Sequence, residues 1–327
     1  MNKKNLNFFT LFAVIVFLFA SCDFYESESD DERISVVATI FPQYDFARQI
    51  GGDRIKLKML TTPGGESHSY EPTPQDIKAV SECDIFICAG GESDIWYNSV
   101  LKTIDTENIT VISLMECVGD RLKEEEITDG MQGEKLSLTG SEEKEEIEYD
   151  EHVWTSVKNA CLIAEEICGA IICIDEENAD FYRENTKLYT EKLRELDLKY
   201  QSAAEEAENN TVVFGDRFPF RYLFDDYGLK YYAAFPGCST DSDVSASTML
   251  FLIKKVTENE LPTVYYIEFS ARRIADTIAD ETGTQTLLLH SCHTVSKEEF
   301  DGGITYLSLM EQNLENLKKG LNKKGGQ

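Results

Sequence analysis

The 327 residues carry 31 basic and 60 acidic side chains, which gives a formal net charge of −29. A surface this acidic argues against nucleic acid as a partner, because phosphate would be repelled, and it attracts cations instead. The length allows two domains, each with a core of its own.

The N-terminus has the layout of a secretory signal. Two lysines precede an apolar run over residues 6–20, which is too short for a membrane-spanning helix. The run ends in small residues before Cys22, an arrangement that resembles the lipobox of bacterial lipoproteins. We therefore predict a lipoprotein signal peptide over 1–21, lipidation of Cys22, and a flexible polar tether over 22–33. An ordinary signal peptide with an incidental cysteine is the alternative.

Strand-like and helix-like segments alternate through the first half of the mature chain. Apolar runs predict strands over 34–40, 55–61, 84–89 and 109–114, separated by helices over 44–50, 74–81 and 95–103. Strands that alternate with short helices are typical of a parallel sheet covered on both faces.

The segment 119–151 interrupts this alternation. It is rich in Asp and Glu and has little periodicity, so we predict an exposed acidic loop. Such a loop either collects cations or is an ordinary solvated run of charge, and the sequence leaves both open.

The second half begins with helices and then returns to alternation. A helix is predicted over 157–172, and a long one over about 177–208 from apolar residues at helical spacing. Those apolar residues are Phe181, Leu188, Leu193, Leu196 and Leu198. Strands follow over 211–214, 230–234, 263–268 and 286–289, with helices over 219–227, 244–258, 272–282 and 305–319.

The predicted fold class is α/β with two lobes. Each lobe is a four-stranded parallel sheet with flanking helices. The N-terminal lobe spans 34–174, a long connecting helix 175–209, and the C-terminal lobe 210–327.

The chain has four histidines, and all of them fall where elements end. His68 lies in the loop 63–76, which is too rich in Pro, Gly and Ser to be helix or strand, and His152 lies just before a helix. His290 directly follows a strand, and His293 comes three residues later. In open α/β sheets ligands bind at the carboxyl ends of strands, so we expect these side chains to meet in a cleft between the lobes.

Carboxylates accompany these histidines. Glu268 ends one predicted strand and Asp216 follows another. Neutral imidazole and carboxylate are ligands of Zn²⁺, whereas Mn²⁺ prefers more oxygen. We therefore predict a metal site formed by three of the four histidines, His68, His152, His290 and His293, with one or two carboxylates from Asp216 and Glu268.

The cysteines beyond Cys22 contain no CxxC pair, which argues against a cysteine-rich zinc knuckle. Several lie in apolar strands or helices and are expected to be buried thiols. Cys238 and Cys292 both lie in loops of the second half, and a bridge between them is a hypothesis.

Five segments resemble one protein family: 36–47, 51–53, 63–74, 150–154 and 265–283. The family is that of the zinc/manganese-type solute-binding lipoproteins of bacterial ABC importers (cluster A-I, TroA-like). The resemblance covers nearly all of the mature chain.

The resemblance also implies ligands. His68 and His152 match metal ligands of the family, and His290 matches the position of a fourth ligand that is usually a carboxylate, which shifts the set toward nitrogen and favours zinc. The third ligand position is occupied by Arg217, whose guanidinium cannot bind a cation. Water or one of three nearby side chains would then complete the shell: Asp216, Glu268 or His293.

The function implied by the resemblance is capture of Zn²⁺, with Mn²⁺ as the alternative cargo, and its delivery to an ABC permease. The protein would be an extracytoplasmic monomer, anchored to the cell membrane through Cys22. No enzymatic activity is expected. A zinc hydrolase, which needs an open coordination position and a base, and a surface adhesin are the other hypotheses.

Overall fold

The computed structural model describes residues 32–65, 70–91, 95–133, 148–239 and 243–322. The predicted signal peptide, Cys22, nearly all of the tether, His68 and residues 134–147 of the acidic segment lie outside these ranges. From Ile34 onward the chain groups into one compact unit. No helix within the described ranges is both long enough and apolar enough to cross a membrane.

The first lobe is built on a sheet of four parallel strands. These are β1 (Ile34–Ala38), β2 (Ile55–Met59), β3 (Ile85–Cys88) and β4 (Thr110–Ser113), arranged in the order β2-β1-β3-β4. The accompanying helices are α1 (Phe41–Gly51), α2 (Pro74–Ser81), α3 (Ile95–Leu101), α4 (Leu114–Val118) and α5 (Val157–Ile174). All of β3 is buried, as expected of a strand covered by helices on both faces.

The second lobe repeats this plan. Its strands are β5 (Thr211–Phe218), β6 (Lys230–Pro236), β7 (Thr263–Tyr266) and β8 (Gln285–Leu288), in the order β6-β5-β7-β8 and again all parallel. Its helices are α7 (Arg221–Tyr227), α8 (Ala246–Glu258), α9 (Arg273–Thr282), α10 (Lys297–Asp301) and α11 (Tyr306–Leu321). The predicted fold class, with its two four-stranded lobes, is confirmed.

Between the two sheets runs the long helix α6 (Ala179–Glu205), which spans about 40 Å at 1.5 Å per residue. It packs against α1 and α5 of the first lobe and against α11 of the second. The long helix is therefore confirmed, and one of its faces packs on both lobes, so it is more than a bare connector.

The buried face of α6 differs from the predicted one. Leu193 and Leu196 are buried, but Leu188 and Leu198 are exposed. Tyrosines complete the buried face: Tyr182, Tyr189 and Tyr200. A pattern of aliphatic residues misses them, although a tyrosine ring packs like a hydrophobe when its hydroxyl finds a partner. The Tyr200 hydroxyl, for example, donates to the Met310 carbonyl at 2.7 Å.

Trp154 and Tyr306 join the two lobes. The Trp154 indole N–H donates to the Ser291 carbonyl at 2.9 Å, and the Trp154 carbonyl accepts from the Tyr306 hydroxyl at 2.7 Å. The backbone N–H of Tyr306 donates to the Asp45 carboxylate in α1 at 2.7 Å. Both aromatic side chains are fully buried, so the lobes share one core that holds them in a defined relative position.

Strand β5 is longer than predicted, because it continues from Phe214 to Phe218 through a register shift. Asp216 and Arg217 therefore lie within the strand rather than in a loop after it. The intervening Gly-Asp-Arg has no apolar pattern, and an irregular strand of this kind is typically found beside a functional site. Two short helices, α4 and α10, are also absent from the prediction, since five residues are too few for a periodic pattern.

The described ends of the acidic segment are ordered against the rest of the protein. Glu124 forms an antiparallel bridge with Tyr149, and the Gln132 N–H donates to the Ala234 carbonyl of β6 at 2.8 Å. Asp150 and Glu151 are buried. The prediction of an exposed loop is therefore wrong for Asp150 and Glu151, whereas Glu124 and Tyr149 are exposed.

The described cysteines form no disulfide, so the hypothesis of a bridge between Cys238 and Cys292 is wrong. Cys83, Cys88 and Cys161 are buried, as expected of thiols that pack as small hydrophobes. Burial raises the pKa of the Cys83 thiol to about 12, since the thiolate would lose its hydration.

Candidate metal centre

A small cleft opens where the carboxyl ends of strands from both lobes meet. The described residues that form its walls include Gly64 and Gly65 after β2, His152 before α5, Arg217 in β5, Gly237 after β6 and His293 after β8. The space inside is about 80 Å³. Pockets for drug-sized ligands are larger, on the order of 300 Å³ or more, so this cleft suits an ion.

His152 is buried in the wall of this cleft. Its Nδ1 lies 2.9 Å from Oδ1 of Asp150, and the same oxygen accepts the His152 backbone N–H at 2.8 Å. Burial alone lowers the pKa of His152, but the carboxylates of Asp150, Glu151 and Glu125 outweigh it, and the pKa is raised above its ordinary value. The ring is thus fixed in place and electron-rich.

His293 lies across the cleft from His152. The centroids of the two rings are 5.8 Å apart in an edge-to-face arrangement, and Trp154 contacts both rings from 5.3 Å. The His293 backbone N–H donates to the Ser291 hydroxyl at 3.2 Å. Two of the histidines that the sequence singles out are therefore brought together.

His290 lies behind the cleft and is not among the described residues that line it. Its Nδ1 accepts the backbone N–H of Cys292 at 2.9 Å. The Asn313 side chain hydrogen-bonds to both backbone groups of His290. It accepts from the His290 N–H and donates to the His290 carbonyl, each at 2.7 Å. His290 thereby stabilises the turn in which Cys292 has a left-handed backbone with φ of 62°, and this turn presents His293.

The two candidate carboxylates brace the backbone around the cleft. Glu268 lines the cleft, and both of its oxygens accept from Ser291, one from the backbone N–H at 2.7 Å and one from the hydroxyl. Asp216 accepts the N–H groups of Arg217 at 2.8 Å and Ile267 at 3.3 Å. Burial raises the pKa of Asp216, and these hydrogen bonds only partly oppose it.

Arg217 takes part in the cleft wall with a fixed positive charge. Its Nη1 donates to the carbonyl of Ser239, in the turn after β6, at 3.4 Å. The guanidinium has donors only, so it contributes no ligand to a metal ion.

Beside the predicted His152, two potential ligands, Glu151 and Cys238, are absent from the sequence prediction. Glu151, His152 and Cys238 each offer one donor atom, and these three atoms lie within 4.8 Å of one another. Glu151 and His152 are buried and Cys238 is partly buried. Cys238 lies far from both in sequence, in the turn after β6 in the other lobe. A single cysteine in a loop gives no spacing pattern that could have identified it.

The sequence model of the ZnuA family, described as the periplasmic component A of a zinc-uptake complex, matches residues 36–320. The chain belongs to the ZnuA family. The match covers both lobes and every described side chain of the cleft.

Two relatives show how far the ZnuA family resemblance extends. The high-affinity zinc uptake protein ZnuA of Bacillus subtilis is 29% identical over 295 residues, covering 90% of each chain. The zinc-binding lipoprotein AdcA of Streptococcus pneumoniae is also 29% identical over 295 residues, which are 90% of this chain. The matched region spans only 57% of AdcA.

Solved structures agree with this fold. The metal-dependent lipoprotein YcdH of Bacillus subtilis is 30% identical and superposes with a TM-score of 0.73, covering 88% of this chain and 99% of that one. The Zn(II)-bound ZnuA-like domain of S. pneumoniae AdcA is 28% identical with a TM-score of 0.70, covering 89% of this chain and 100% of the domain.

Proposed function

We propose that this protein is the solute-binding component of a zinc importer and carries Zn²⁺ in the cleft between its lobes. The observation that carries the proposal is the pair formed by buried His152 and partly buried His293, which face each other in a space of about 80 Å³. Membership of the ZnuA family and the Zn(II)-bound domain among the similar structures support it.

The ligands in this proposal are His152 and His293, with His68 as a third that rests on the sequence alone. Gly64 and Gly65 support the inclusion of His68, since they line the cleft only a few residues before it. His293 replaces His290 in the proposed set, because His293 is among the described residues that line the cleft and His290 is not. Asp216 and Glu268 hold the backbone in position rather than binding the ion.

The donor set favours zinc over manganese. Imidazole nitrogen suits Zn²⁺, whereas Mn²⁺ is typically bound by more oxygen ligands. We also propose that Cys22 carries a lipid anchor, that the protein acts outside the cytoplasm as a monomer, and that an ABC permease receives the ion. Transport needs no chemical step, so no catalytic role is assigned to any residue.

The proposal is tested by titrating metal-free protein, from Cys22 onward, with Zn²⁺ and with Mn²⁺ in separate calorimetric experiments. We expect tight one-to-one zinc binding and much weaker manganese binding. His152→Ala should weaken zinc binding at least a hundredfold, since it removes a ligand that is already oriented.

His290→Gln provides the matched control, because it alters a buried histidine outside the proposed ligand set while the glutamine oxygen can still accept the Cys292 N–H that holds the turn before His293. Its zinc affinity should stay within about threefold of wild type, and its thermal unfolding shows whether the fold is intact. Equal zinc affinity in wild type and His152→Ala would contradict the proposed site, and stronger binding of Mn²⁺ than of Zn²⁺ would contradict the proposed cargo.

A further inference from the structure

We propose that the thiolate of Cys238 is a ligand of the bound ion, together with His152 and Glu151, so that the centre contains sulfur as well as nitrogen and oxygen. This inference rests on the proposed function, because it names further ligands of the ion on His152; Cys238 follows Gly237, which lines the cleft with His152. Cys238 is not among the histidine and carboxylate ligands predicted from the sequence.

The turn that carries Cys238 packs directly on the ring of His152. A side chain at Gly237 would begin 3.0 Å from Cε1 and 3.2 Å from Nδ1 of His152, so only glycine allows this approach without displacement. The turn is closed by the Ser239 N–H, which donates to the Pro236 carbonyl at 3.3 Å. Cys238 is therefore held beside the imidazole by the backbone on either side of it.

The spacing of the donor atoms is close to what a shared ion needs. Atoms from Glu151, His152 and Cys238 lie within 4.8 Å of one another. With zinc–ligand distances of about 2.0–2.3 Å in tetrahedral geometry, ligand atoms on one ion are about 3.5 Å apart. Side-chain adjustments of about 1 Å would bring the three donors onto one ion.

Glu151 gives this group a negative charge in a buried position. Burying a carboxylate is costly unless hydrogen bonds or a positive charge compensate it. The close packing of Glu151 against Gly91, where a Cβ would clash with its carboxylate, fixes that charge next to His152. A divalent cation bound by the group would add a positive charge beside this carboxylate.

Arg217 links this group to the unusual feature of the cleft. The family resemblance assigns a ligand position to Arg217, but its guanidinium instead donates to the carbonyl of Ser239, the residue after Cys238, at 3.4 Å. Positive charge near a cysteine favours the thiolate. Arg217 thus occupies a position where the family resemblance implies a ligand, and it stabilises the turn that carries the proposed ligand Cys238.

A sulfur ligand would sharpen the metal preference of the cleft. Thiolate binds Zn²⁺ and other soft or borderline ions well, and Mn²⁺ poorly. The Cys238→Ser variant should therefore lose zinc affinity about tenfold or more and show a smaller ratio of zinc to manganese affinity than wild type.

Cobalt(II) is a direct probe of the proposed sulfur ligand, because a cobalt–thiolate bond gives an intense charge-transfer absorption in the near ultraviolet. Metal-free protein is titrated with cobalt chloride under anaerobic conditions. We expect wild type to develop this absorption with one equivalent of Co²⁺. Cys238→Ser should bind Co²⁺ without it, and the exposed Cys173→Ser variant should retain it in full.

Two results would overturn the inference: Co²⁺ binding by wild type without the charge-transfer absorption, or retention of that absorption in Cys238→Ser. The first would leave the proposed function intact, since an ion would still be bound. Failure of wild type to bind either Co²⁺ or Zn²⁺ would overturn the proposed function as well. The Glu151→Gln variant tests the carboxylate ligand separately. It should weaken Co²⁺ binding while keeping the cobalt–thiolate charge-transfer absorption.

Discussion

The hydrogen bond with Asp150 determines which ring nitrogen of His152 is available to a metal ion. Its carboxylate lies 2.9 Å from Nδ1 and also accepts the His152 backbone N–H. With Nδ1–H donating to Asp150, the Nε2 atom would be left for the proposed ion. The Asp150 backbone is held in turn, because the Tyr222 hydroxyl donates to its carbonyl at 2.6 Å.

Asp150→Ala should therefore weaken zinc binding without removing a ligand. Loss of such an outer carboxylate typically costs about 10–100-fold in metal affinity. Competition against a chelator measures the dissociation constant. Asp180→Ala, which removes a fully exposed carboxylate on α6, is the control and should leave it unchanged. An Asp150→Ala variant with wild-type affinity would show that the hydrogen bond does not orient His152.

The residues of the cleft were only partly predictable. His152 could be identified because it follows an acidic segment where helical periodicity resumes. His290 and His293 both follow β8, and the sequence could not tell which of them faces the cleft. That choice depends on the left-handed backbone at Cys292 and on Asn313, which is distant in sequence. Cys238 approaches His152 only through the packing of one lobe on the other.

At the scale of single elements, the start of α2 fixes the end of the loop that contains His68. Thr73 caps the helix, and Asp76 accepts from the backbone and hydroxyl of Thr73 at 3.1 and 2.6 Å. The Tyr70 hydroxyl donates to Asp76 at 2.8 Å, and Lys58 of β2 pairs with it at 3.1 Å. The contacts of Asp76 with Tyr70 and Lys58 attach the end of the loop to the first lobe.

Asp76→Ala should destabilise the protein by about 1 kcal/mol at pH 7, since it removes half of a capping box. Burial raises the pKa of Asp76, but hydrogen bonds from Thr73, Tyr70 and Lys58 outweigh burial, and the pKa is lowered. A lowered folded-state pKa means that this stabilisation is complete above the unfolded value and is lost as pH falls through the folded value.

The difference in unfolding free energy between wild type and Asp76→Ala should thus shrink below about pH 4, where an ordinary aspartate becomes protonated. Urea denaturation at pH 7 and at successively lower pH measures it. Asp280→Ala, at an exposed site in α9, controls for general effects of charge removal. A difference that grows as pH falls would contradict the assigned role of the Asp76 carboxylate.

Helix α6 offers a comparison between two leucines of the same element. Leu193 is fully buried in the core that both lobes share, whereas Leu198 is 66% exposed. Leu193→Ala should cost about 2–5 kcal/mol of unfolding free energy, through lost burial and the cavity left behind. Leu198→Ala should cost about 0.5 kcal/mol or less. Equal costs in chemical denaturation would contradict the orientation of α6.

Elements were predictable where their periodicity is strong. All eight strands were located, because apolar runs between helix signals are distinctive. The extension of β5 through Asp216 and Arg217 was not, since its polar residues are tolerated there by hydrogen bonds to neighbouring segments. The buried face of α6 was only partly predicted, because it is completed by tyrosines, among them Tyr182 and Tyr200, whose hydroxyls find partners only in the folded protein.

At the scale of the whole molecule, the two lobes act as one frame around a small polar cleft. Trp154, Tyr306 and Asp45 connect them through buried hydrogen bonds, and α6 packs on both. A cleft held in this way is preorganised, so little conformational freedom is lost when an ion binds. The same frame brings His152 of one lobe opposite His293 of the other.

The central claim is that zinc binds between the lobes, on His152 and His293. Its most direct test is a crystal structure of the zinc-loaded protein, with anomalous diffraction measured on both sides of the zinc absorption edge. The claim predicts one strong anomalous peak in the cleft, about 2.0–2.1 Å from a ring nitrogen of each histidine. A fully loaded crystal whose anomalous peak lies elsewhere, with both rings outside bonding distance, would contradict it.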